Sequence, residues 1–450
     1  MSTLIEKPRF SCALAAQQTV LAIPGGIPVI HAGPGCASKA AGFAGFQSGL
    51  QGEGYAGRTH ISCTNAGEIE VVFGGEKNLE QVIDGALKVL KGDLFVALSG
   101  CTAGIIGDDT AQVASTFARD GEPVVGVDTA GFKGNNYIGH ELVVNAIIDQ
   151  YVGKAEPSVK KGHVNLWTVV PYQDPFWRGD LEELKSLLEK LGLTVNVFFG
   201  YSSEGVSEWK EIPNAEHNIL VSPWVGLDIV KHLEKKYGTP YIHYPVLPMG
   251  AKATSKFLRT ICKEVGLDEQ AVEKVVKKEE KRYYDYFISF SDFVAEQRNV
   301  LPYELYVAAD SAYAVGITDY LVNELGFLPY GVYVNDDPSG EKAEFVKEAF
   351  KSVGEEFADT LQFQADGGLI TRDIEKKLGK SKKALICGSY WERCIAKETN
   401  SFFLHLSLPI SAEIITNSSY VGYNGGLRLI EKIYSYAFNR GNLSSRTHVE

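Results

Sequence analysis

Short apolar runs alternate with longer amphipathic segments along most of this chain. LFVALS at 94–99 and PVVGV at 123–127 are typical apolar runs, and others lie at 164–170, 218–222 and 304–310. Runs of this length, bounded by turn residues, predict buried strands, and the segments between them have the periodicity of helices. Strands that alternate with helices predict an α/β fold built from doubly wound parallel sheets.

Two breaks in this rhythm divide the chain into three parts of similar length. They fall near residues 155–161 and 299–302, and each is followed by a new strand signal. Since ~150 residues is a common domain size, we expect three Rossmann-like domains. Their predicted limits are 1–158 for an N-terminal domain, 159–300 for a middle domain with long helices, and 301–450 for a C-terminal domain.

One helix in the middle domain has a clear sequence signal for its start. Gly179 and Asp180 precede the amphipathic run LEELKSLLEKLG. An aspartate at such a position commonly accepts a hydrogen bond from the first free N–H groups of a helix. We therefore expect Asp180 to be the N-cap.

Composition and charge exclude several classes of protein. The 450 residues include 44 Lys and Arg against 56 Asp and Glu, and the formal net charge of -12 disfavours nonspecific nucleic-acid binding. No run approaches the ~18 apolar residues of a membrane span, and the first residues do not resemble a signal peptide. Seven cysteines fit reduced thiols better than a secreted disulfide framework. We expect a cytoplasmic protein with neither a nucleic-acid nor a membrane partner.

Two motifs that suggest ligands fail on inspection. Gly-Lys-Ser at 379–381 resembles the end of a phosphate-binding P-loop, but Ile374 stands where that motif needs its first glycine. We therefore expect no nucleotide site in this chain. Cys387 and Cys394 have a spacing that fits no zinc knuckle, so both are expected in the core.

Three other cysteines lie in contexts that favour chemistry. Cys12 follows Arg-Phe-Ser, Cys36 ends the run His-Ala-Gly-Pro-Gly-Cys, and Cys101 follows a predicted strand in Ser-Gly-Cys. Glycine lets backbone N–H groups approach sulfur closely, and open α/β sheets bind ligands beyond the carboxyl ends of their strands. Thiolates without paired histidines favour iron–sulfur chemistry over catalytic zinc. On the residues alone, three buried cysteines in glycine-rich turns are an equal alternative.

These cysteine contexts, together with Val-Phe-Gly-Gly at 72–75 and the run from Cys101 to Asp109, resemble the component 1 family of nitrogenases and nitrogenase-like reductases. The resemblance extends along most of the chain. It implies a fold like that of nitrogenase component 1, with the cluster bound by the N-terminal domain. It also implies that Cys12, Cys36 and Cys101 are this subunit's three ligands to an [8Fe–8S]-type P-cluster, shared with a homologous α-type subunit at the interface.

Three features indicate which type of subunit the chain resembles. In that family the catalytic α-type chain also binds the active-site cofactor through a mid-chain cysteine and a late histidine. Here Cys262 lies in a helix similar to one that carries no ligand in β-type chains, and the late segment 419–426 contains no histidine. His405 lies in an apolar run and is expected in the core.

The resemblance therefore implies a β-type electron-relay subunit of a nitrogenase-like oxidoreductase, with no catalytic residue of its own. The active-site iron–sulfur cofactor would be bound by the partner chain. An α2β2 assembly is implied, and an ATP-dependent [4Fe–4S] iron protein would supply the electrons.

Two positions depart from the nitrogenase pattern. Gly131 stands where β-type nitrogenase chains have a serine that binds the oxidised P-cluster, and Cys63 stands where Ser or Thr is usual. We expect Cys63 to be a bystander and not an extra ligand. These departures favour a methylthio-alkane reductase, which cleaves C–S bonds reductively in sulfur metabolism. The alternatives are a β-subunit of vanadium or iron-only nitrogenase, a non-catalytic cofactor-assembly scaffold, and a cluster-free binding protein.

Overall fold

The structure, a computed structural model, alternates strands and helices as the sequence pattern predicts. It describes residues 5–46, 48–49, 61–296, 301–379 and 383–444. In these ranges the strands are β1 (Gly26–His31), β2 (Ser62–Cys63), β3 (Leu94–Ser99), β4 (Val124–Val127), β5 (Lys160–Trp167), β6 (Thr194–Asn196), β7 (Ala215–Val221), β8 (Tyr241–Tyr244), β9 (Glu304–Ala309), β10 (Leu328–Val334), β11 (Leu361–Phe363), β12 (Leu385–Gly388) and β13 (Phe402–His405).

The α-helices of the same ranges vary from one turn to 28 residues. They are α1 (Gln17–Leu21), α2 (Pro34–Phe46), α3 (Glu68–Phe73), α4 (Glu76–Val89), α5 (Cys101–Ile106), α6 (Thr110–Arg119), α7 (Asn136–Ile147), α8 (Trp177–Glu189), α9 (Val206–Trp209), α10 (Leu227–Tyr237), α11 (Gly250–Val265), α12 (Glu269–Glu296), α13 (Ser311–Asn323), α14 (Glu341–Phe350), α15 (Gly367–Leu378), α16 (Tyr390–Glu398) and α17 (Gly422–Ser444). None of these helices has the length and apolarity needed to cross a membrane.

The strands form three separate sheets. Their strand orders are β2-β1-β3-β4, β6-β5-β7-β8 and β11-β10-β9-β12-β13. Neighbouring strands in each sheet pair in parallel. Central strands such as β3 are buried along their whole length, because helices cover both faces of a parallel sheet. The predicted α/β class with doubly wound parallel sheets is confirmed.

Each sheet lies inside one of the three predicted domains, at residues 26–127, 160–244 and 304–405. One continuous apolar core nevertheless includes residues of all three sheets. The last helix, α17, packs against α11 and α12 of the middle part. The limits 1–158, 159–300 and 301–450 therefore stay a prediction.

The expected N-cap of the helix after β5 was wrong. Helix α8 begins at Trp177 with Phe176 in the cap position, so Asp180 lies within the first turn and is fully buried. Its carboxylate accepts hydrogen bonds from the hydroxyls of Tyr313 and Ser419, which belong to the C-terminal part of the chain. Contacts between distant segments therefore determine the position of Asp180, and these contacts overrode the local cap signal.

Buried carboxyl groups meet where the middle and C-terminal sheets face each other. Asp174, Asp310 and Asp336 line a cavity of about 10 Å³ beyond the carboxyl ends of the strands. The residues that line this cavity include no Lys, Arg or His. Burial, and then the negative charge of Asp336, raises the pKa of Asp310 to about 7. Burial also raises the pKa of Asp180 to about 7.

The buried carboxyls make stability depend on pH. In the unfolded chain an aspartate ionises near pH 4, so the stability that Asp310 contributes is fully present below about pH 4 and is lost as pH rises to about 7. Asp310→Asn keeps the N-cap hydrogen bond to the Tyr313 N–H but has no proton to lose. Between pH 4.5 and 6.5 we expect the free energy of unfolding of Asp310→Asn to fall less steeply with pH than that of the wild type. The two slopes should differ by about 1.4 kcal/mol per pH unit, which corresponds to one proton.

The measurement is urea unfolding of the wild type and Asp310→Asn across that pH range. The exposed Asp359 provides the matched control, and Asp359→Asn should keep the wild-type slope. Equal slopes for the wild type and Asp310→Asn would show that Asp310 is already ionised in the folded protein.

Candidate metal centre

The strand order of the N-terminal sheet brings distant segments to one edge. Because β1, β3 and β4 run in parallel, the turns that follow them share the carboxyl edge of the sheet. Cys36 lies in the first turn of α2, after β1, and Cys101 is the first residue of α5, after β3. Gly131 opens a short 3-10 turn after β4.

Cys12 reaches the same edge through backbone pairing with the loop after β4. It forms an isolated antiparallel bridge with Asn135. The N–H of Ala13 donates to the Gly134 carbonyl at 3.0 Å, and the N–H of Asn136 donates to the Ser11 carbonyl at 2.9 Å. These bonds hold the segment around Cys12 beside the turn that contains Gly131.

The three predicted cysteines lie together on an exposed surface. A Cβ atom built on Gly131 would lie 2.8 Å from Cys101 Sγ and 3.4 Å from Cys12 Sγ, so both sulfurs face the same point. The pKa of Cys36 is raised by partial burial of its thiol and then by the negative charges of Cys12 and Cys101. All three are exposed free thiols, which removes the alternative of three buried cysteines.

The thiols fit an iron–sulfur cluster better than a single ion. In the described parts of the chain, no three His, Cys, Asp or Glu side chains are close enough together to hold one metal ion. In a cluster, separate irons bind separate thiolates, so the ligands are spaced more widely. The Gly131 N–H donates to Cys101 Sγ at 3.2 Å, and such hydrogen bonds are typical around cluster sulfurs. The role of Cys12, Cys36 and Cys101 as ligands stays a prediction.

Cys63 lies beside this group at the end of β2. Its register partner on β1 is Ile30, so it flanks the segment that leads to Cys36. Its thiol lies 3.3 Å from the Ala32 carbonyl oxygen, to which it donates, and accepts the Asn65 N–H at 3.4 Å. The local hydrogen bonds of this thiol support the expectation that Cys63 is a bystander, and that expectation stays a prediction.

A buried histidine–aspartate pair at the carboxyl edge of the sheet was not predicted from the sequence. His31 Nε2 lies 2.8 Å from Asp108 Oδ2, and His31 Nδ1 lies 3.1 Å from Thr64 Oγ1. The N–H of Gly75 donates to both Asp108 oxygens, at 2.9 and 3.1 Å. A Cβ on Gly75 would come within 2.6 Å of the His31 ring, so only glycine fits. The network joins the ends of β1 and β2 to the turns before α4 and α6.

Arg9 holds the segment before Cys12 against the C-terminal part of the chain. It is buried, and its guanidinium forms an ion pair with Glu392 and donates to Ser389 Oγ at 2.6 Å. It also lies 4.5 Å from the centre of the Trp391 ring. Sequence analysis did not predict this role, because Glu392 is 383 positions away.

The remaining sequence predictions have mixed outcomes. Cys387 is buried as expected, but Cys394 is exposed on α16, so its expected place in the core was wrong. Cys262 is buried on α11, and His405 is buried and pairs with Glu413 at 3.0 Å. Of the P-loop-like segment, residues 380 and 381 lie outside the described residues, and Ile374 is buried within α15.

The His31–Asp108 network should stabilise the carboxyl edge of the N-terminal sheet. Asp108→Ala would leave the buried His31 and the Gly75 N–H without their shared partner, at a cost of about 2–3 kcal/mol. Asp109→Ala is the matched control, because it removes only the cap bond to the Gln112 N–H and should cost about 1 kcal/mol. Urea unfolding measures both values. An Asp108→Ala cost no larger than that of Asp109→Ala would contradict the role of the network.

Known proteins resemble this chain in sequence. It is 28% identical over 287 residues to the nitrogenase molybdenum–iron protein alpha chain of Methanosarcina barkeri, with 60% of this chain and 51% of that protein covered. It is 29% identical over 251 residues to the nitrogenase iron-molybdenum cofactor biosynthesis protein NifE of Rhodobacter capsulatus, with 53% and 50% covered. The chain spans about half the length of the curated relatives it matches.

The fold and a family model support the same relationship over a larger part of the chain. The solved structure described as nitrogenase Cp1 at pH 6.5 superposes with a TM-score of 0.80 at 19% identity, over 98% of this chain and 94% of that one. That likeness shows the fold alone. The family model described as nitrogenase component 1 type oxidoreductase matches residues 11–437. The chain therefore belongs to the nitrogenase component 1 type oxidoreductase family.

Proposed function

We propose that this chain is the β-type electron-relay subunit of a nitrogenase-like reductase. It would share an [8Fe–8S]-type P-cluster with an α-type partner through Cys12, Cys36 and Cys101. The grouping of these three exposed thiols at one sheet edge is the observation that carries the proposal. When bound, such a cluster stores and passes single electrons. The relatives named above are α chains and cofactor biosynthesis proteins, so they support the family and leave the β-type assignment as a proposal.

The surface around the thiols has the character of a subunit interface. Helix α3 has no buried residue, and its Phe73 side chain is 83% exposed. Ile105 on α5 and Phe132 beside Gly131 are exposed as well. Large apolar side chains that are exposed together mark surfaces that another protein covers. A partner chain on this face would also cover the thiols, which supports a cluster shared between two chains.

The chain's own candidates for binding an active-site cofactor, Cys262 and His405, have hydrogen-bond partners within the chain. Cys262 is buried, and its thiol donates to the Leu267 carbonyl at 3.7 Å. His405 pairs with Glu413. The cavity between the middle and C-terminal sheets has room for about one water and is lined by carboxyl groups, which do not suit an anionic iron–sulfur group. These observations support a cofactor bound by the partner.

The reaction we propose for the complex is reductive cleavage of small methylthio-alkanes. Two electrons and two protons added to R–S–CH3 break the R–S bond and give R–H and CH3SH. An ATP-dependent [4Fe–4S] iron protein would supply the electrons. The glycine at position 131 supports this reaction over the reduction of dinitrogen, because the serine ligand of β-type nitrogenase chains is absent. A vanadium or iron-only nitrogenase β-subunit is the alternative within the same relay role.

A cofactor-assembly scaffold is the second candidate function. The similarity to the biosynthesis protein NifE of Rhodobacter capsulatus favours it. A scaffold would use the same thiols and the same partner surface but would not turn over a substrate. Iron content separates the cluster proposal from a cluster-free protein, and turnover separates a relay from a scaffold.

The thiol assignment predicts which cysteines are needed for iron binding. The complex purified without oxygen should carry iron at the level of an eight-iron cluster per pair of chains, plus cofactor iron. Cys36→Ala and Cys101→Ala should lose most of the cluster iron and its EPR signal, because each removes a thiolate ligand. Cys394→Ala is the matched control, since it removes an exposed thiol on α16, outside the predicted ligand set. Cys63→Ala should keep its iron if Cys63 is a bystander.

Other results of the iron and turnover measurements would favour one of the alternative functions. Iron-free wild type in an intact complex would overturn the cluster, and a four-iron level would favour the scaffold. With iron present, methanethiol released from ethyl methyl sulfide supports the reductase, and ammonia formed from dinitrogen supports a nitrogenase. Iron without turnover of either substrate supports the scaffold.

A further inference from the structure

The segment before Cys12 rests on the C-terminal part of the chain. Pro8 forms an isolated antiparallel bridge with Asp366, and the Gly367 N–H donates to the Lys7 carbonyl at 3.4 Å. A Cβ built on Gly367 would lie 2.9 Å from that carbonyl oxygen, so the two backbones are in close contact. Since Gly367 is the first residue of α15, the segment lies across the beginning of that helix.

Arg9 extends this contact to α16. Ser389 and Glu392 form the capping box at the beginning of that helix. The Arg9 guanidinium donates to the Ser389 hydroxyl at 2.6 Å and to the Glu392 carboxylate at 3.0 Å. The side chains of Arg9 and Glu392 are both fully buried. Because a buried charge is costly without its partner, α16 fixes the position of Arg9.

Cys12 differs in this respect from the other two predicted ligands. Cys36 and Cys101 follow the paired strands β1 and β3, so the N-terminal sheet fixes the distance between them. The segment of Cys12 is held by α15 and α16 on one side and by the loop after β4 on the other. That loop itself reaches the C-terminal part, because Asn135 Nδ2 donates to the Asp336 carbonyl at 2.8 Å. The distance of Cys12 from the other two cysteines therefore depends on the position of the C-terminal part.

We propose that Arg9 is a positioning residue for the cluster ligand Cys12. Its ion pair with Glu392 couples the C-terminal part to a thiol that lies three residues further along the chain. A cluster needs its thiolates at fixed separations, and contacts outside the ligand set maintain them. When the pair is broken, Cys12 should leave its iron before Cys36 and Cys101, because these two stay on the N-terminal sheet. The inference rests on the proposed cluster and adds a residue that holds one of its ligands.

Arg9→Met/Glu392→Met in the complex, purified without oxygen, tests the inference. It replaces the buried pair with apolar side chains of similar length, a change that commonly preserves stability, so the fold should persist. Brief alkylation with iodoacetamide, followed by mass spectrometry, compares the cysteines within one sample, since a thiolate bound to iron is protected. We expect the ratio of Cys12 to Cys36 modification to rise about tenfold above the wild-type ratio, because the charged hydrogen bonds that hold the segment of Cys12 are lost.

Arg372→Met is the matched control. Arg372 pairs with Glu6 at 3.3 Å and joins the same segment to α15, but both side chains are more than half exposed. An exposed pair contributes little, so this variant should keep the wild-type ratio. Arg9→Lys retains the charge but not the forked N–H groups of arginine, so it should give a smaller rise than the double variant.

The outcomes distinguish this inference from the proposed function. A wild-type complex without iron overturns the cluster itself. With iron present in the wild type, an unchanged ratio in Arg9→Met/Glu392→Met overturns the role of Arg9 and leaves the cluster standing. An equal rise in the modification of Cys12, Cys36 and Cys101 would show that the whole site has loosened, and would also overturn that role. So would a rise in Arg372→Met as large as that in the double variant.

Discussion

Parallel pairing in the N-terminal sheet is the constraint on which the candidate site depends. With the order β2-β1-β3-β4, the carboxyl ends of four neighbouring strands lie at one edge. Cys63, Cys36, Cys101 and Gly131 lie at or just after these four ends in that spatial order, although they are spread over about 95 residues of sequence. The thiols of Cys63, Cys36 and Cys101 therefore lie on one surface at this edge of the sheet. Cys12 reaches the same surface because the loop after β4 pairs with its backbone.

Two buried interactions stabilise the segments that carry the exposed thiols. Asp108 forms hydrogen bonds with His31 and Gly75 at the carboxyl edge, and the ion pair of Arg9 and Glu392 holds the segment just before Cys12. A cluster bound at a surface needs ligands that do not move apart when its charge changes, and buried charged hydrogen bonds give such rigidity. The apolar side chains of Phe73, Ile105 and Phe132 around the thiols are exposed in the part of the chain that the structure describes. They are the part of the site that the proposed partner would cover.

Sequence patterns predicted the fold, because it depends on local signals, whereas the grouping of Cys12, Cys36 and Cys101 was implied by the family resemblance. Apolar runs located the strands, and a cysteine just beyond a strand end must lie at the sheet edge. The contacts of Arg9, Asp108 and Asp180 were not predictable in the same way, since each joins segments that pattern analysis treats separately. Cys394 was misplaced because seven residues of spacing from Cys387 cannot show that the α16 face is exposed.

Iron-edge anomalous diffraction from crystals of the complex, purified and frozen without oxygen, tests the central claim most directly. The account predicts a compact group of anomalous peaks at the carboxyl edge of the N-terminal sheet. Peaks in that group should lie at bonding distance from the Sγ atoms of Cys12, Cys36 and Cys101, with further peaks only in the partner chain. Anomalous density bound elsewhere in this chain, or none beside these three sulfurs in a complex that contains iron, would contradict it.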